Sequence, residues 1–332
     1  MIKQPIKIAI CGFGRFAKKR ILPALNSTSK LKLAGIIDRD TNILQLPNNV
    51  LRFRSFNEML NSSDIDCVYI ATPNYLHASQ TIESLKKGLH VICEKPMAIN
   101  KNDCLKMIQT AKDKKLQLSV GHMLRYSDAI NEVRNLIDSN SLGKLLFIEV
   151  IFNYDMKFTK RNWANSIEYS GGGALIDAGI HCIDVIQFLL GTSIKLKNID
   201  SFRANKQNIE NEIECSFLSD DISCSIKVNS NKQYKSSLIL NFSNGKLILK
   251  NFASTSGFID IDFASNKTSI NNYLKKIDVT KTYSNQIDDF ANSISSGKLN
   301  YHNAEQASEA IGIVEHIYGV AKLSSISDDS KH

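Results

Sequence analysis

Asp177 and His181 stand four residues apart in the segment 171–184, GGGALIDAGIHCID. If the glycines end a loop and the apolar run 174–190 is a helix, both side chains share one face of its first turns. A carboxylate beside an imidazole is a proton-transfer pair, because imidazole exchanges its proton near neutral pH. The three glycines let the backbone approach something closely, such as a ligand or cofactor. The plainer reading is a glycine loop and a buried helix that carries both residues without chemistry. Lys95 is the second centre, in Glu94-Lys95-Pro96, after the buried run His90–Cys93 and before a helix opened by Asn100 as N-cap. Residues at the carboxyl ends of strands in a doubly wound sheet face the ligand crevice, so Lys95 would point into it. Its plainer reading is a surface lysine in a turn. Pro96 fixes the chain direction, and sequence leaves its peptide bond open to either isomer.

The elements that must position such groups begin at the N-terminus. Residues 5–11, PIKIAIC, form a short β-branched run with alternate apolar positions and read as a strand. The run enters Gly12-Phe13-Gly14-Arg15-Phe16-Ala17 and then a helix through about Leu25. This is G-x-G-x-x-A in the strand–turn–helix context of a dinucleotide site. Gly12 permits the turn, Gly14 leaves room for a pyrophosphate, and Ala17 lets the helix pack close to the sheet. The helix N-terminus would then hold the phosphates. A second strand, Leu31–Ile37, ends at Asp38, placed to accept hydrogen bonds from an adenosine ribose.

These segments, GFGRFA at 12–17, Asp38, ATPNYLHA at 71–78, Glu94-Lys95-Pro96 and the glycine segment 171–184, resemble the glucose-fructose oxidoreductase, inositol dehydrogenase and rhizopine-catabolism (Gfo/Idh/MocA) family. The resemblance runs over nearly the whole chain, with no departure at the core positions. It implies an α/β protein: an N-terminal Rossmann domain, a doubly wound parallel sheet, at 1–122, and a C-terminal α+β domain with an open, largely antiparallel sheet at 123–332. The C-terminal helices could pack back on the first domain. It implies NAD as cofactor, with NADP as the alternative, and hydride transfer at a carbinol or carbonyl carbon of a sugar, nucleotide sugar or cyclitol. Lys95, Asp177 and His181 become the catalytic group. Thr72, Pro73, Asn74, His77 and Glu94 join residues 12–17, Asp38 and Arg39 along the cofactor. Self-association through the outer face of the second sheet, as homodimer or homotetramer, is also implied. Two other readings use the same scaffold: a glycosidase with tightly bound NAD for transient oxidation, and a non-catalytic dinucleotide sensor.

Composition agrees. A chain of 332 residues with 43% hydrophobic content supports two cores. Forty-one basic against 33 acidic residues give a net charge of +8, a mild excess. Arg15, Lys18, Lys19 and Arg20 group beside the expected pyrophosphate site, which suits a dinucleotide and an anionic substrate. Basic runs interleaved with aromatics are missing, so nucleic acid is not an expected partner. No apolar stretch near 18 residues stands out, so no membrane-spanning helix is expected. The start MIKQPIKI enters the first strand without a leader pattern. Seven scattered cysteines without a C-x-x-C pair read as reduced core thiols of a cytoplasmic protein, with no metal site.

Up to about residue 122 strands and helices alternate, with a capping box at Ser55 and Glu58, strands near 66–71 and 116–120, and Asn74 capping the helix after the first of these. A helix near 127–139 and a strand near 145–153 precede the glycines. Strands follow from about 194 to 262, with turns at Asp220-Asp221 and Ser243-Asn244-Gly245, the latter a hairpin signal. Helices near 284–295 and 304–323 precede a frayed tail. By strand-end geometry His122 and Arg125 face the crevice, and Arg125 is a candidate substrate contact. Arg161, Asn162 and Trp163, which lead to the glycines, are further candidates, with packing between domains as the plainer reading. Asp184 reads as part of a polar stripe on the helix, or as a partner of His181.

Asp38 should favour NAD, because a carboxylate repels a 2′-phosphate, while Arg39 could pair with that phosphate. The ratio of kcat/KM for the two cofactors checks this, and a tenfold or greater preference for NADP would overturn it.

Overall fold

The computed structural model describes residues 5–37, 49–156, 161–268 and 271–329. Asp38 and Arg39 lie outside the described residues. Two compact units form: residues up to 123 with 283–308, and 124–282 with the chain from 309 onward.

In the first unit β1 (Ile6–Cys11), β2 (Leu31–Ile37), β3 (Leu51–Phe53), β4 (Cys67–Ile70), β5 (His90–Cys93) and β6 (Leu118–Val120) form a parallel sheet in the order β3-β2-β1-β4-β5-β6. Every residue of β4 and β5 is buried, as expected of parallel strands covered on both faces. One face of β1 (Ile6, Ile8, Ile10) packs against Ala17, Ile21 and Leu25 and against Ile287, Phe290 and Ile294 of the helix Thr282–Ser296. The helix after the glycine turn opens with a π-helical turn, Ala17–Ile21, before Leu22–Asn26. The short strand β3 has no counterpart in the sequence reading.

The second unit has an eight-stranded sheet. β7 (Leu145–Asp155), β8 (Lys195–Ala204), β9 (Glu210–Ser219), β10 (Ile222–Asn229), β11 (Asn231–Phe242), β12 (Gly245–Lys250), β13 (Phe258–Ser265) and β14 (Tyr273–Asp278) lie in the order β14-β13-β12-β11-β7-β10-β9-β8. Only β7 and β10 pair in parallel; the other neighbours are antiparallel. The turn at Ser243-Asn244 closes a hairpin in which Phe242 opposes Gly245. Strand β14 extends the sheet beyond the expected end near 262.

Local expectations change in four places. The run 174–190 is not one α-helix: a π-helical turn, Leu175–Gly179, leads into the α-helix Ile180–Leu190. Asn74 is the first residue of its helix, and Pro73 stands at the cap without a side-chain bond. The last helix, His302–Asp329, runs into the segment expected to fray. An 18-residue window within 167–190 is apolar enough to pass for a membrane span, but 83% of it is buried in the fold. A helix apolar on nearly every side belongs in a core.

Two caps confirm the local chemistry. Ser55 accepts from the Glu58 amide at 3.1 Å, while Glu58 reaches back one residue further than a capping box requires, to the Arg54 amide at 2.7 Å. Asn100 accepts from the Asp103 amide at 2.8 Å and opens the helix Lys101–Lys114. Asn100→Ala should lower the free energy of unfolding by about 1 kcal/mol, the usual worth of such a cap, in urea denaturation.

Candidate active site

In the first unit β1 ends at Cys11 and Gly12 turns the chain with φ +93°. A Cβ there would lie 2.6 Å from the Ala71 carbonyl oxygen, so the turn packs on the segment after β4 and only glycine fits. The Gly12 and Phe13 amides donate to the Ile37 carbonyl at 3.3 and 3.1 Å, which fixes the loop to the end of β2. At Gly14 a Cβ would meet nothing within 4 Å, and Phe16 begins the helix with no side-chain cap. Open space over a glycine and a helix start without a side-chain cap fit a dinucleotide pyrophosphate. Ala17 is fully buried against β1, while Arg15 and Phe16 are exposed. Phe16 packs edge-on with Tyr283, and the Lys18 ammonium lies over the Phe13 ring.

The strand-end residues gather beside this loop. Thr72 donates from Oγ1 to Gln80 at 2.7 Å. His77 is buried, with Nδ1 at 2.7 Å from the Pro96 carbonyl and Nε2 at 2.8 Å from the Thr72 carbonyl. It thus braces the loop after β4 against the loop that carries Lys95. Burial holds its pKa below the usual histidine value, with the two carbonyls opposing and the Lys95 charge adding to the fall. The Lys95–Pro96 peptide is cis, and the Lys95 side chain is partly exposed. Glu94 beside it is buried. The Tyr69 hydroxyl donates to Glu94 Oε1, the Lys95 amide donates to Oε2 at 3.2 Å, and a Cβ on Gly121 would lie 2.8 Å from Oε1. Tyr69 and Gly121 escaped the sequence reading, since Tyr69 looks like any core aromatic. His122 is buried, with its amide bonded to the Val120 carbonyl at 2.7 Å.

In the second unit Asp177 and His181 face one strand. Asp177 accepts from the Tyr154 hydroxyl at 3.1 Å and from Arg161 Nη2 at 2.6 Å, and the His181 ring stacks on Phe152 with centroids 6.4 Å apart. Phe152 and Tyr154 alternate along β7 and so share its face. Asp177 lies within the π-helical turn and His181 in the α-helix that follows, so their four-residue spacing is not purely α-helical. Arg161 also stacks over Trp163 at 5.5 Å. Arg125 and Asp184 are both buried and bonded at 2.6–3.1 Å. The Arg125 fork is thus held by Asp184, whose place on the helix is that of an ion-pair partner rather than of a surface stripe.

Gly172 and Gly173 do not leave space for a side chain. A Cβ on Gly172 would lie 2.0 Å from the Tyr318 hydroxyl oxygen, and one on Gly173 would lie 2.0 Å from the Glu210 carbonyl oxygen. At these two positions the chain's own Tyr318 and Glu210 press on the loop, while Gly171 borders an open cavity. Alternation along β9, set by the buried Ile213, Cys215 and Phe217, would place Glu210 on the opposite face; its burial follows a register shift at the start of the strand, and nothing local in the sequence pairs it with the glycines. Among the described residues no cluster of metal-ligating side chains occurs. All seven cysteines are buried and none is in a disulfide, and burial pushes the Cys11 thiol up to about 12.

A parallel sheet with a glycine turn after its first strand, joined in one chain to a large mixed sheet, defines a two-unit α/β architecture. Comparison with known proteins is specific. Residues 6–122 match the oxidoreductase family with NAD-binding Rossmann fold, and residues 130–248 match the GFO/IDH/MocA C-terminal domain. The chain belongs to the Gfo/Idh/MocA family. Glucose-6-phosphate 3-dehydrogenase of Bacillus subtilis is 34% identical over 191 residues, 55% of this chain and 53% of that protein. The chain spans about half the length of the curated relatives it matches. Aldose-aldose oxidoreductase from Caulobacter crescentus superposes with a TM-score of 0.86 at 21% identity, over 97% of this chain and 98% of that one. A 3-ketoreductase from Actinomadura kijaniata, in complex with TDP-benzene and NADP, superposes with a TM-score of 0.85 at 18% identity, over 95% and 98%. At such identities the likeness concerns the fold.

Burial pushes the Glu94 carboxyl up to about 7, against the opposing pull of the Tyr69 hydroxyl and Lys95. A folded-state pKa above the unfolded one means that the native protein keeps this proton longer, so Glu94 costs stability as pH rises from about 4.5 to about 7. Glu94→Gln should be progressively more stable than wild type across that window, by about 3 kcal/mol at its upper end. Denaturation of both proteins from pH 4.5 to pH 8 measures the difference; a difference independent of pH would overturn it.

Proposed function

We propose that this protein is an NAD(P)-dependent dehydrogenase or reductase acting at a CH–OH carbon of a sugar, nucleotide sugar or cyclitol. The observation that carries the reading is the alignment of Asp177 and His181 along one face of β7 through Phe152 and Tyr154. Family membership and the open direction at Gly14 support the nicotinamide cofactor. When bound, the cofactor supplies a hydride acceptor or donor. His181 takes the hydroxyl proton in oxidation and returns it in reduction. Asp177, held by Tyr154 and the Arg161 fork, keeps a fixed carboxylate for a substrate hydroxyl. The Lys95 ammonium polarises the reacting oxygen and stabilises developing alkoxide. Each role rests on the geometry within its own unit.

Two attendant proposals follow. The outer face of the second sheet presents half-exposed Phe147, Ile151, Ile239 and Ile248 around Lys227, which bridges Glu149 and Glu214, and we read it as the self-association surface. Seven free, buried thiols support a reducing, cytoplasmic setting.

The test is a panel of sugars, sugar phosphates, uronates, inositols and nucleotide sugars, followed by nicotinamide absorbance. Net formation of reduced cofactor is expected with one class. Product formation without it would favour the transient-oxidation glycosidase, and no turnover with bound cofactor would favour a sensor. Lys95→Ala should keep cofactor binding and lose turnover, and His181→Asn should lower kcat by roughly 10²–10⁴. Near-normal kcat in either variant removes that residue from the chemistry.

A further inference from the structure

The helix that carries Asp177 and His181 has no cap of its own, since Ala174 at its start makes no side-chain bond. Its first amides find an acceptor 35 or more residues away. Glu210, at the start of β9, accepts from the Gly173 amide at 2.9 and 3.0 Å and from the Leu175 amide at 2.9 Å. Its Oε1 also accepts from the Tyr318 hydroxyl at 2.7 Å, and Glu210 is only 2% exposed. A carboxylate is costly to bury unless its oxygens are filled with donors, and here they are. Its charge also suits the positive end of the helix dipole.

The linkage to the site is short. The Gly173 amide is held by Glu210, and the Gly173 carbonyl accepts from the Asp177 amide at 3.1 Å. Gly172 and Gly173 lack a Cβ where Tyr318 and Glu210 press against the loop. A cavity of about 520 Å³, bordered by Ile167, Gly171, Phe202 and Ala204, opens beside the pair, and Glu210 and Tyr318 line it.

We infer that Glu210, seated by Tyr318, is a positioning residue that sets where Asp177 and His181 stand. The inference rests on the function proposed above for its catalytic consequence, but not for its structural one. Trp163, the sole tryptophan of the chain, stacks on Arg161, which grips Asp177, so its emission reports the first turn of the helix without cofactor or substrate.

The experiment uses Glu210→Gln and Tyr318→Phe, which keep shape, with Glu210→Ala as the full deletion. Circular dichroism confirms folding. Each variant is expected to shift or change the intensity of Trp163 emission. Glu210→Ala should lower kcat by about a hundredfold, as misplacement of a reacting group by about 1 Å does, with cofactor Kd unchanged. In a His181→Asn background the same substitution should cost little further, because the position of an absent base no longer matters. Both results are required. Wild-type emission, or an equal loss of kcat in the two backgrounds, overturns the inference. If His181→Asn alone keeps wild-type turnover, the base assignment falls, and the emission of the Glu210 and Tyr318 variants alone decides whether the clamp exists.

Discussion

Backbone packed too closely for a side chain is the constraint on which the candidate residues of both units depend. At Gly12 the Ala71 carbonyl takes the place of a Cβ, which locks the turn after β1 to the segment after β4. Thr72 follows at once, and through the His77 ring so does the loop of Lys95. At Gly172 and Gly173 the place of a Cβ is taken by Tyr318 and Glu210, which locks the start of the Asp177 helix to β9 and to the last helix. In each unit a glycine fixes a helix start to a distant strand, and the functional candidates hang from that junction.

Buried charge is the second organising feature. Glu94 with Tyr69 and Arg125 with Asp184 are each nearly sealed from solvent, and Glu210 is buried beside a partly exposed Tyr318. An isolated buried carboxylate would be strongly destabilising, and pairing with a phenol or a guanidinium makes it tolerable. The three pairs differ in what they hold. Glu94 lies one residue from Lys95 and accepts its amide, so its ionisation changes the field at that lysine. Glu210 holds backbone amides and sets a position. Asp184 holds the Arg125 guanidinium, which also stacks on Phe188 and so ties the segment after β6 to the middle of the helix Ile180–Leu190.

Much of the architecture was legible in local pattern. The β-branched run before Gly12, the apolar runs His90–Cys93 and near 66–71, and the hairpin at Asn244-Gly245 each carry their own signal, because strand burial and turn chemistry act over a few residues. Strands β3 and β14 are short or exposed, with few buried residues to mark them, and so were missed. Asn74 was misread as a cap because Asn is a favoured cap residue, whereas Pro73 takes the extended backbone that the position needs.

Sequence alone determined the types and order of the reactive groups: a dinucleotide turn, a lysine at a strand end, and an acid and an imidazole on a helix behind three glycines. Tertiary structure decided what those groups touch. Gly172 and Gly173 proved to admit Tyr318 and Glu210. Arg125 proved to be held by Asp184, and Asp177 to be gripped by Arg161 and Tyr154. The physical reason is separation along the chain. Glu210 lies 37 residues from Gly173 and 108 from Tyr318, and periodicity, capping and turn propensity carry no information over such distances. Contacts of that range are chosen by packing, in which a Cβ or its absence and the number of donors around a buried oxygen exclude the alternatives.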